Sequence, residues 1–333
     1  MQLYLAADHI EHREKDVERA LGWRLPMKDL YAPIGVDGFD PGVLKPKLAT
    51  IREQGRWVVL RAYPGHAKIM STGASIIGSA KARADVEAIA AMLADPAVYG
   101  VDRPAVVSLY AEAQAQWGIP PTDFAQRWDF VAEPLLVLPM VRRMWALNTS
   151  WAIPEWRSYR PKLAQDLGVH LYGTEWQDPT KPAGERLDDY LAQADEWGMG
   201  KGVPEAGCTH VEDIANSGTR SWDEFYHPLV KLCLTRGLAF CYWVSLDWTA
   251  FTGMKGAFDG RWAPTLSVEE GMKLYPAIKG TAAISVFGQP GAPAAVDAMR
   301  KKLNATPLVA KQYVPVPAPD WTATAAGPAT AID

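Results

Sequence analysis

The sequence is poor in cysteine and histidine, which argues against a disulfide framework and against a metal centre. Its three cysteines, Cys208, Cys233 and Cys241, are an odd number, and their spacing matches no metal-binding motif. The six histidines do not cluster with cysteine or acidic residues at ligand spacing. We therefore expect buried thiols, no bound metal ion and no cofactor.

Long hydrophobic runs and an excess of one charge are also missing. No apolar stretch approaches the roughly 20 residues that a helix needs to cross a bilayer, and a net charge of -4 provides no basic surface for nucleic acid or anionic membranes. Residues 1–8, MQLYLAAD, lack the basic start of a signal peptide and predict a strand. The sequence predicts a protein that is cytoplasmic as synthesised, with neither a membrane nor a nucleic acid as partner.

Tryptophan, in contrast, is abundant. The chain has 14 tryptophans, and this side chain fills cores because of its large apolar area. It also stacks on the apolar faces of sugar rings. We interpret part of the set as core residues and expect the rest near strand ends, where a sugar could lie.

Predicted strands alternate with helices or helix-length segments along the chain. Eight strands are marked by Leu3, Tyr31, Val58, Val106, Met144, Val169, Val203 and Phe240. Such alternation predicts parallel strands with right-handed crossovers, and eight units in about 250 residues fit an α/β fold of the (β/α)8 TIM barrel type. We assign residues 1–310 to a single barrel and residues 311–333 to a tail rich in Pro, Ala and Thr.

Local signals predict the bounds of several elements. We expect strands at 57–65, 104–113, 142–151, 169–176, 202–207 and 238–248. Helices are predicted at 10–21, 44–54, 82–94, 187–197, 221–236 and 267–274. Gly55 and Gly198 are expected to end two of these helices, and Thr122 is expected to cap another.

Two glutamates stand at the predicted carboxyl ends of strands, where α/β barrels carry their chemistry. Glu112 lies in SLYAEAQAQW, and Glu205 lies in GVPEAG with small residues after it. Each glutamate also has an interpretation without catalytic function. Glu112 could be a solvated glutamate at a helix start, and Glu205 could be a loop carboxylate that caps a turn. Glu175, in TEW, is a rival for either role, although its neighbours favour a substrate contact.

Further polar and aromatic side chains are candidates for lining the same rim. Tyr172 is predicted either to hydrogen-bond a catalytic carboxylate or to fill the core, and Asn148 either to bind a sugar hydroxyl or to cap a loop. The remaining candidates for substrate binding are Glu175, Trp176, Trp117, Trp248 and His66. Trp243 is assigned to the core, and His210, Asp37 and Asp40 are interpreted as surface or loop residues.

Together these stretches resemble clan A glycoside hydrolases, and most closely family 26, the β-mannanase group. The similar segments run from residue 57 to about residue 278 and include SLYAEAQAQWGIPPTDFAQRW, MWALNTSW, VHLYGTEW, GKGVPEAG and FCYWVSLDW. The resemblance implies a retaining mechanism in which Glu112 is the acid/base at the fourth strand and Glu205 is the nucleophile at the seventh. It also implies that Tyr172 is the aromatic residue that ends the sixth strand.

The chain departs from the family pattern beside Glu112. The family usually has His directly before the acid/base and, in mannanases, Asn two residues after it, whereas this chain has Ala111 and Gln114. The resemblance implies an endo-acting enzyme whose partner is a polysaccharide or cell-wall glycan. The expected lack of a signal peptide fits an enzyme that is released or phage-associated, because a phage protein reaches glycan without secretion. The departure favours an alternative, an inactive carbohydrate-binding barrel in a larger assembly such as a virion. A phosphate-utilising barrel lyase is disfavoured, because no Gly-rich phosphate loop follows the last two strands.

Overall fold

Eight parallel strands form the centre of the fold. A computed structural model describes residues 4–6, 27–64, 74–110, 119–148, 155–172, 183–207 and 240–242. The strands are β1 (Tyr4–Ala6), β2 (Met27–Ala32), β3 (Trp57–Ala62), β4 (Ala105–Leu109), β5 (Val141–Asn148), β6 (Asp166–Tyr172), β7 (Gly200–Gly207) and β8 (Phe240–Tyr242). Their order is β1-β8-β7-β6-β5-β4-β3-β2, and β1 also lies against β2. The predicted (β/α)8 barrel is confirmed.

Helices pack around this sheet. The described α-helices are α1 (Pro41–Glu53), α2 (Ala80–Ala94), α3 (Pro121–Ala132) and α4 (Ala183–Glu196), with short 3-10 helices at Ala74–Ile76, Glu133–Val137 and Trp156–Tyr159. Asp40 caps α1, because its carboxylate accepts a hydrogen bond of 2.7 Å from the Gly42 N–H. The predicted cap at Thr122 is wrong: α3 begins at Pro121, where proline's fixed φ favours a first helical turn.

The hydrophobic cluster between strands and helices, here called the outer core, holds the two layers together. Alternate residues of β3 (Val58, Leu60, Ala62) pack in the same cluster as Leu44 and Leu48 of α1, and all five are at most 5% exposed. Burying one such side chain stabilises the fold by about 1.5–3 kcal/mol. The cluster continues through Trp145 and Leu147 of β5, Val169 of β6 and Val203 of β7.

The residues between these positions lie on the opposite face of the sheet, which the barrel turns inward. Met27, Val59, Val106 and Met144 are buried there, outside the outer core. This inner face also carries polar groups, including Asp29, Arg61, Ser108 and His170, all at most 8% exposed. Because both faces are buried, these strands are largely apolar at every position, as parallel strands usually are.

Several predicted strand ends are wrong by a few residues. β3 ends at Ala62 and not at residue 65. β5 is described as far as Asn148, and the remaining predicted positions, 149–151, lie outside the described residues. β4 ends at Leu109 and not at Ala113, because Tyr110 adopts a left-handed backbone with φ of 48° that a strand cannot continue. β6 begins at Asp166, before the predicted start at residue 169. Asp166 is charged and Gly168 is small, so Leu167 alone did not mark a strand by its hydrophobic pattern.

The predicted glycine stops are confirmed. Gly55 and Gly198 have φ of 68° and 65°, and each lies two residues beyond the end of its helix, α1 or α4. Glycine adopts the left-handed backbone conformation after the last helical turn most easily, because it has no Cβ. The predicted helices at 10–21, 221–236 and 267–274 lie outside the described residues, and the division into a barrel and a tail at residue 310 stays a prediction.

Candidate active site

Three neighbouring strands place Asn148, His170 and Glu205 in one row at the carboxyl end of the barrel. Asn148 of β5 is the register partner of His170 in β6, and His170 is the register partner of Glu205 in β7. Tyr172 follows two residues later and pairs with Gly207. Barrel enzymes carry their reacting groups at this end of the strands, so we call Asn148, His170 and Glu205 the site row.

A β-bulge decides which face of the sheet position 205 occupies. Gly168 pairs with Gly202, but His170 pairs with Glu205, so β7 spends one more residue than β6 over this interval. Val203 belongs to the outer core, and simple alternation would put position 205 on that same outer face. The extra residue shifts the alternation, and Glu205 shares a face with His170 instead. Bulges commonly re-aim a residue in this way beside active sites.

Close packing below the site row explains why the bulge has this sequence. A Cβ on Gly168 would lie 2.6 Å from Met144 Sδ and 3.0 Å from Pro204 Cγ, so only glycine fits without displacing a neighbour. Pro204 is itself suited to an irregular position, because proline has no N–H to give to the sheet. Pro204, the residue before Glu205, therefore lies close to position 168 of β6.

The end of β4 is held in an unusual conformation. Tyr110 is fully buried, and its left-handed backbone is costly for a residue with a side chain. Its N–H donates to the Ala62 carbonyl at 3.1 Å, and its hydroxyl accepts a hydrogen bond of 3.0 Å from the Gly78 N–H. Burial raises the pKa of the Tyr110 hydroxyl, so it stays neutral. Such strained residues cluster at functional sites, and this one lies two positions before Glu112.

The opposite side of the inner face carries a buried ion pair. Arg61 of β3 donates to Asp29 of β2 from both Nε and Nη2, at 3.1 and 2.8 Å. Tyr31 is the register partner of Arg61 and meets the ring of Tyr63 edge-on at 5.0 Å between ring centroids. Burial raises the pKa of Tyr31 to about 12, and the nearby Arg61 charge partly opposes this shift.

The candidate site residues divide into two groups. The backbones of Asn148, Tyr172 and Glu205 lie at the carboxyl ends of β5, β6 and β7, while their roles stay predictions. The other candidates lie outside the described residues: Glu112, Glu175, Trp176, Trp117, Trp248 and His66. Asp37 is exposed in the loop after β2.

Sequence reasoning missed His170 as a site residue. It lies two positions before Tyr172, and alternate residues of a strand share a face, so the segment VHLYGTEW contained the signal. Tyr110 carried no comparable signal, because nothing in its local sequence requires a left-handed backbone. The Asp29–Arg61 pair was also missed, since its two members are 32 residues apart.

The described ranges also bear on metal sites and on membrane-spanning helices. In those ranges, no three or more His, Cys, Asp or Glu side chains are grouped so that they could hold a metal ion. Among the same residues, no helix has the length and apolarity needed to cross a membrane.

Comparison with known proteins identifies the type of barrel. No protein-family model and no curated protein sequence matches the chain significantly. Solved structures do match. A family 26 β-mannanase from Bacteroides ovatus is 12% identical with a TM-score of 0.60, over 93% of this chain and 90% of that one. The catalytic domain of a family 26 endo-β-1,4-mannanase from Bacillus sp. JAMB-750 is 13% identical with a TM-score of 0.53, over 73% and 77%.

A family 26 protein from a Muricauda species gives the same result, with 11% identity, a TM-score of 0.55, and coverage of 73% of this chain and 79% of that one. Identities this low describe architecture and leave the chemistry open. The fold expected from the sequence resemblance is therefore confirmed, and the chain is a (β/α)8 barrel similar in fold to glycoside hydrolase family 26 mannanases.

Proposed function

We propose that this protein is a glycoside hydrolase that cleaves O-glycosidic bonds within a polysaccharide or cell-wall glycan and retains the anomeric configuration. Glu205 is the nucleophile and Glu112 is the acid/base. The observation that carries the proposal is the position of Glu205 at the carboxyl end of β7, on the face it shares with His170, in a barrel of the family 26 type.

The mechanism needs two carboxyl groups about 5–5.5 Å apart on either side of the scissile bond. Glu205, ionised, attacks the anomeric carbon, while Glu112, protonated, gives its proton to the departing sugar oxygen. A covalent glycosyl-enzyme results. Glu112 then removes a proton from water, which attacks the same carbon and releases Glu205, so two inversions give net retention.

The end of β4 supports the assignment of Glu112. The residue follows three positions after Leu109, where β4 ends. Tyr110 is locked between Ala62 and Gly78 by hydrogen bonds, so the chain leaves the sheet toward Glu112 from a fixed point. Preorganised positioning of this kind is a large part of enzymatic rate enhancement.

The remaining candidates would form the substrate cleft. Aromatic side chains offer stacking platforms for sugar rings, and the polar ones offer hydrogen bonds to hydroxyl groups. The proposed cleft residues are Asn148, Tyr172, Glu175, Trp176, Trp117, Trp248 and His66. The proposed partner is thus a polysaccharide or oligosaccharide, and no metal ion or cofactor takes part.

The test is turnover by wild type and two glutamate variants. Wild type is incubated with galactomannan, glucomannan, xylan, mixed-linkage β-glucan and peptidoglycan, and new reducing ends are measured. We expect Glu205→Ala to lose nearly all turnover. Glu112→Ala should retain activity toward aryl glycosides with good leaving groups, and azide should partly restore it, since azide needs no general base. Glu53→Ala, at an exposed glutamate of α1, is the control and should match wild type.

Product stereochemistry checks the mechanism separately. We expect the first product to keep the anomeric configuration of the substrate, as measured by NMR during the first turnovers. Inversion would make Glu205 a general base and would imply a carboxyl separation of about 6.5–9.5 Å.

A second candidate function is an inactive barrel that binds carbohydrate as part of a larger assembly. Ala111 favours it, because the family usually has His at that position beside the acid/base. Binding of a panel polysaccharide without any turnover, unchanged in Glu205→Ala, would establish this function in place of hydrolysis.

A further inference from the structure

His170 occupies the middle of the site row and is almost completely buried. It is 1% exposed, on the central one of the three strands that form the row. Neighbouring strands of a sheet lie about 4.8 Å apart. Positions 148 and 205 are therefore the nearest in-register neighbours of His170, one on each side.

The chemistry of a buried imidazole limits what His170 can do there. Neutral imidazole has one N–H donor and one acceptor nitrogen, and buried polar groups are nearly always hydrogen-bonded. The two residues of β6 that precede His170 have no side-chain group for a hydrogen bond with its ring. Gly168 has no side chain, and Val169 is apolar and packs in the outer core. The neighbouring strands offer an amide at 148 and a carboxylate at 205, which are complementary to an acceptor and a donor.

We propose that His170 is a positioning residue for Glu205, an inference that rests on the function proposed above. A ring N–H directed at one carboxylate oxygen would fix the rotation of Glu205 and favour its ionised form, because a hydrogen bond to a charged group stabilises that form. Reaction needs Glu205 both ionised and aligned with the anomeric carbon, so both effects act on the rate of attack.

The backbone alone does not hold the carboxylate of Glu205 in place. The β-bulge turns position 205 to the inner face by a single extra residue, and Pro204 restricts only the backbone before it, because its ring locks φ. A carboxylate at the end of its own side chain still needs a partner to hold it. The strand register places His170 of β6 beside position 205.

The experiment compares two replacements of similar size that differ in hydrogen bonding. His170→Gln keeps an N–H donor, and His170→Leu does not. Each is assayed on the panel polysaccharide that wild type cleaves fastest. We expect kcat of His170→Leu to fall about 100-fold, the loss that a misplacement of about 1 Å causes, with KM little changed. His170→Gln should recover a substantial part of kcat.

Val169→Ala is the matched control. It removes a buried side chain from the next position of β6, on the outer face, so it lowers the melting temperature without touching the site row. Its kcat should equal that of wild type. A purely structural role of His170 would instead reduce kcat in both His170 variants equally and in proportion to their loss of stability.

The outcomes separate this inference from the proposed function. If wild type turns over glycan and Glu205→Ala does not, yet His170→Leu has wild-type kcat, the positioning role is rejected and the hydrolase stands. If wild type has no Glu205-dependent turnover, the proposed function itself fails. Should His170→Leu not fold, His170→Met provides the same donor-free comparison with His170→Gln.

Discussion

Replacing Gly168 by alanine tests the packing that sets the bulge below the site row. The new methyl group would lie 2.6 Å from Met144 Sδ, 3.1 Å from Met144 Cγ and 3.0 Å from Pro204 Cγ. Met144 can shift the end of its flexible side chain, although it is fully buried. Pro204 is a rigid ring in the strand, so its movement carries the backbone of Glu205 with it.

The sign of the stability change follows from two opposing effects. Alanine in place of glycine in an open strand position would stabilise the fold by about 0.5–1 kcal/mol. Overpacking of a filled interior costs about 1–3 kcal/mol, and contacts as short as these belong to that class. We therefore expect Gly168→Ala to be destabilising, and to lower kcat because Glu205 moves.

Urea denaturation followed by fluorescence measures the first effect, and reducing-end release measures the second. Gly38→Ala is the control, since a Cβ there would meet Pro33 Cγ and Cβ at ordinary distances of 3.5 and 3.9 Å. It should be neutral or stabilising by up to about 1 kcal/mol. Met144→Ala alone should cost about 2–5 kcal/mol. In combination with Gly168→Ala it should cost less than the sum, with a coupling of about 0.5–3 kcal/mol.

Two results would refute the reasoning. Equal stability of Gly168→Ala and Gly38→Ala would show that the interior has room at position 168 and that packing does not hold the bulge. Strict additivity with Met144→Ala would show that the two side chains do not compete for the same space.

Two further predictions concern β2 and β3. Asp29→Ala should destabilise the fold by about 3–5 kcal/mol in urea denaturation, because it leaves the buried Arg61 charge without its bidentate partner. The apolar pair Asp29→Leu with Arg61→Met should recover most of that loss, and a double variant as unstable as Asp29→Ala would contradict this account. Tyr31 should ionise near pH 12 in an alkaline absorbance titration compared with Tyr31→Phe. Because folding raises this pKa, the contribution of Tyr31 to stability is complete below pH 10 and is lost as pH rises through about 12; ionisation of Tyr31 near pH 10 would contradict it.

The positions of the strands and several helix ends followed from the sequence alone. Apolar, β-branched runs such as WVVLRA mark β3, since a strand buried on both faces needs apolar residues throughout. Gly55 and Gly198 marked two helix ends, because a left-handed residue there is a local requirement. Glu205 was predicted at the end of a strand for a similar reason, as a charged residue directly after a short apolar run.

The tertiary structure alone decided which face Glu205 occupies and which residues accompany it. Alternation counted from Val203 assigns position 205 to the outer face, and only the extra residue opposite β6 reverses that assignment. Pro204 of the bulge and Met144 of β5 both lie close to position 168 of β6, which is 36 residues before Pro204 in the chain. The partnership of His170 with Glu205 depends on the resulting register. Hydrophobic periodicity describes one segment at a time, whereas register is set by contacts between segments distant in sequence, so the site row exists only once the barrel has closed.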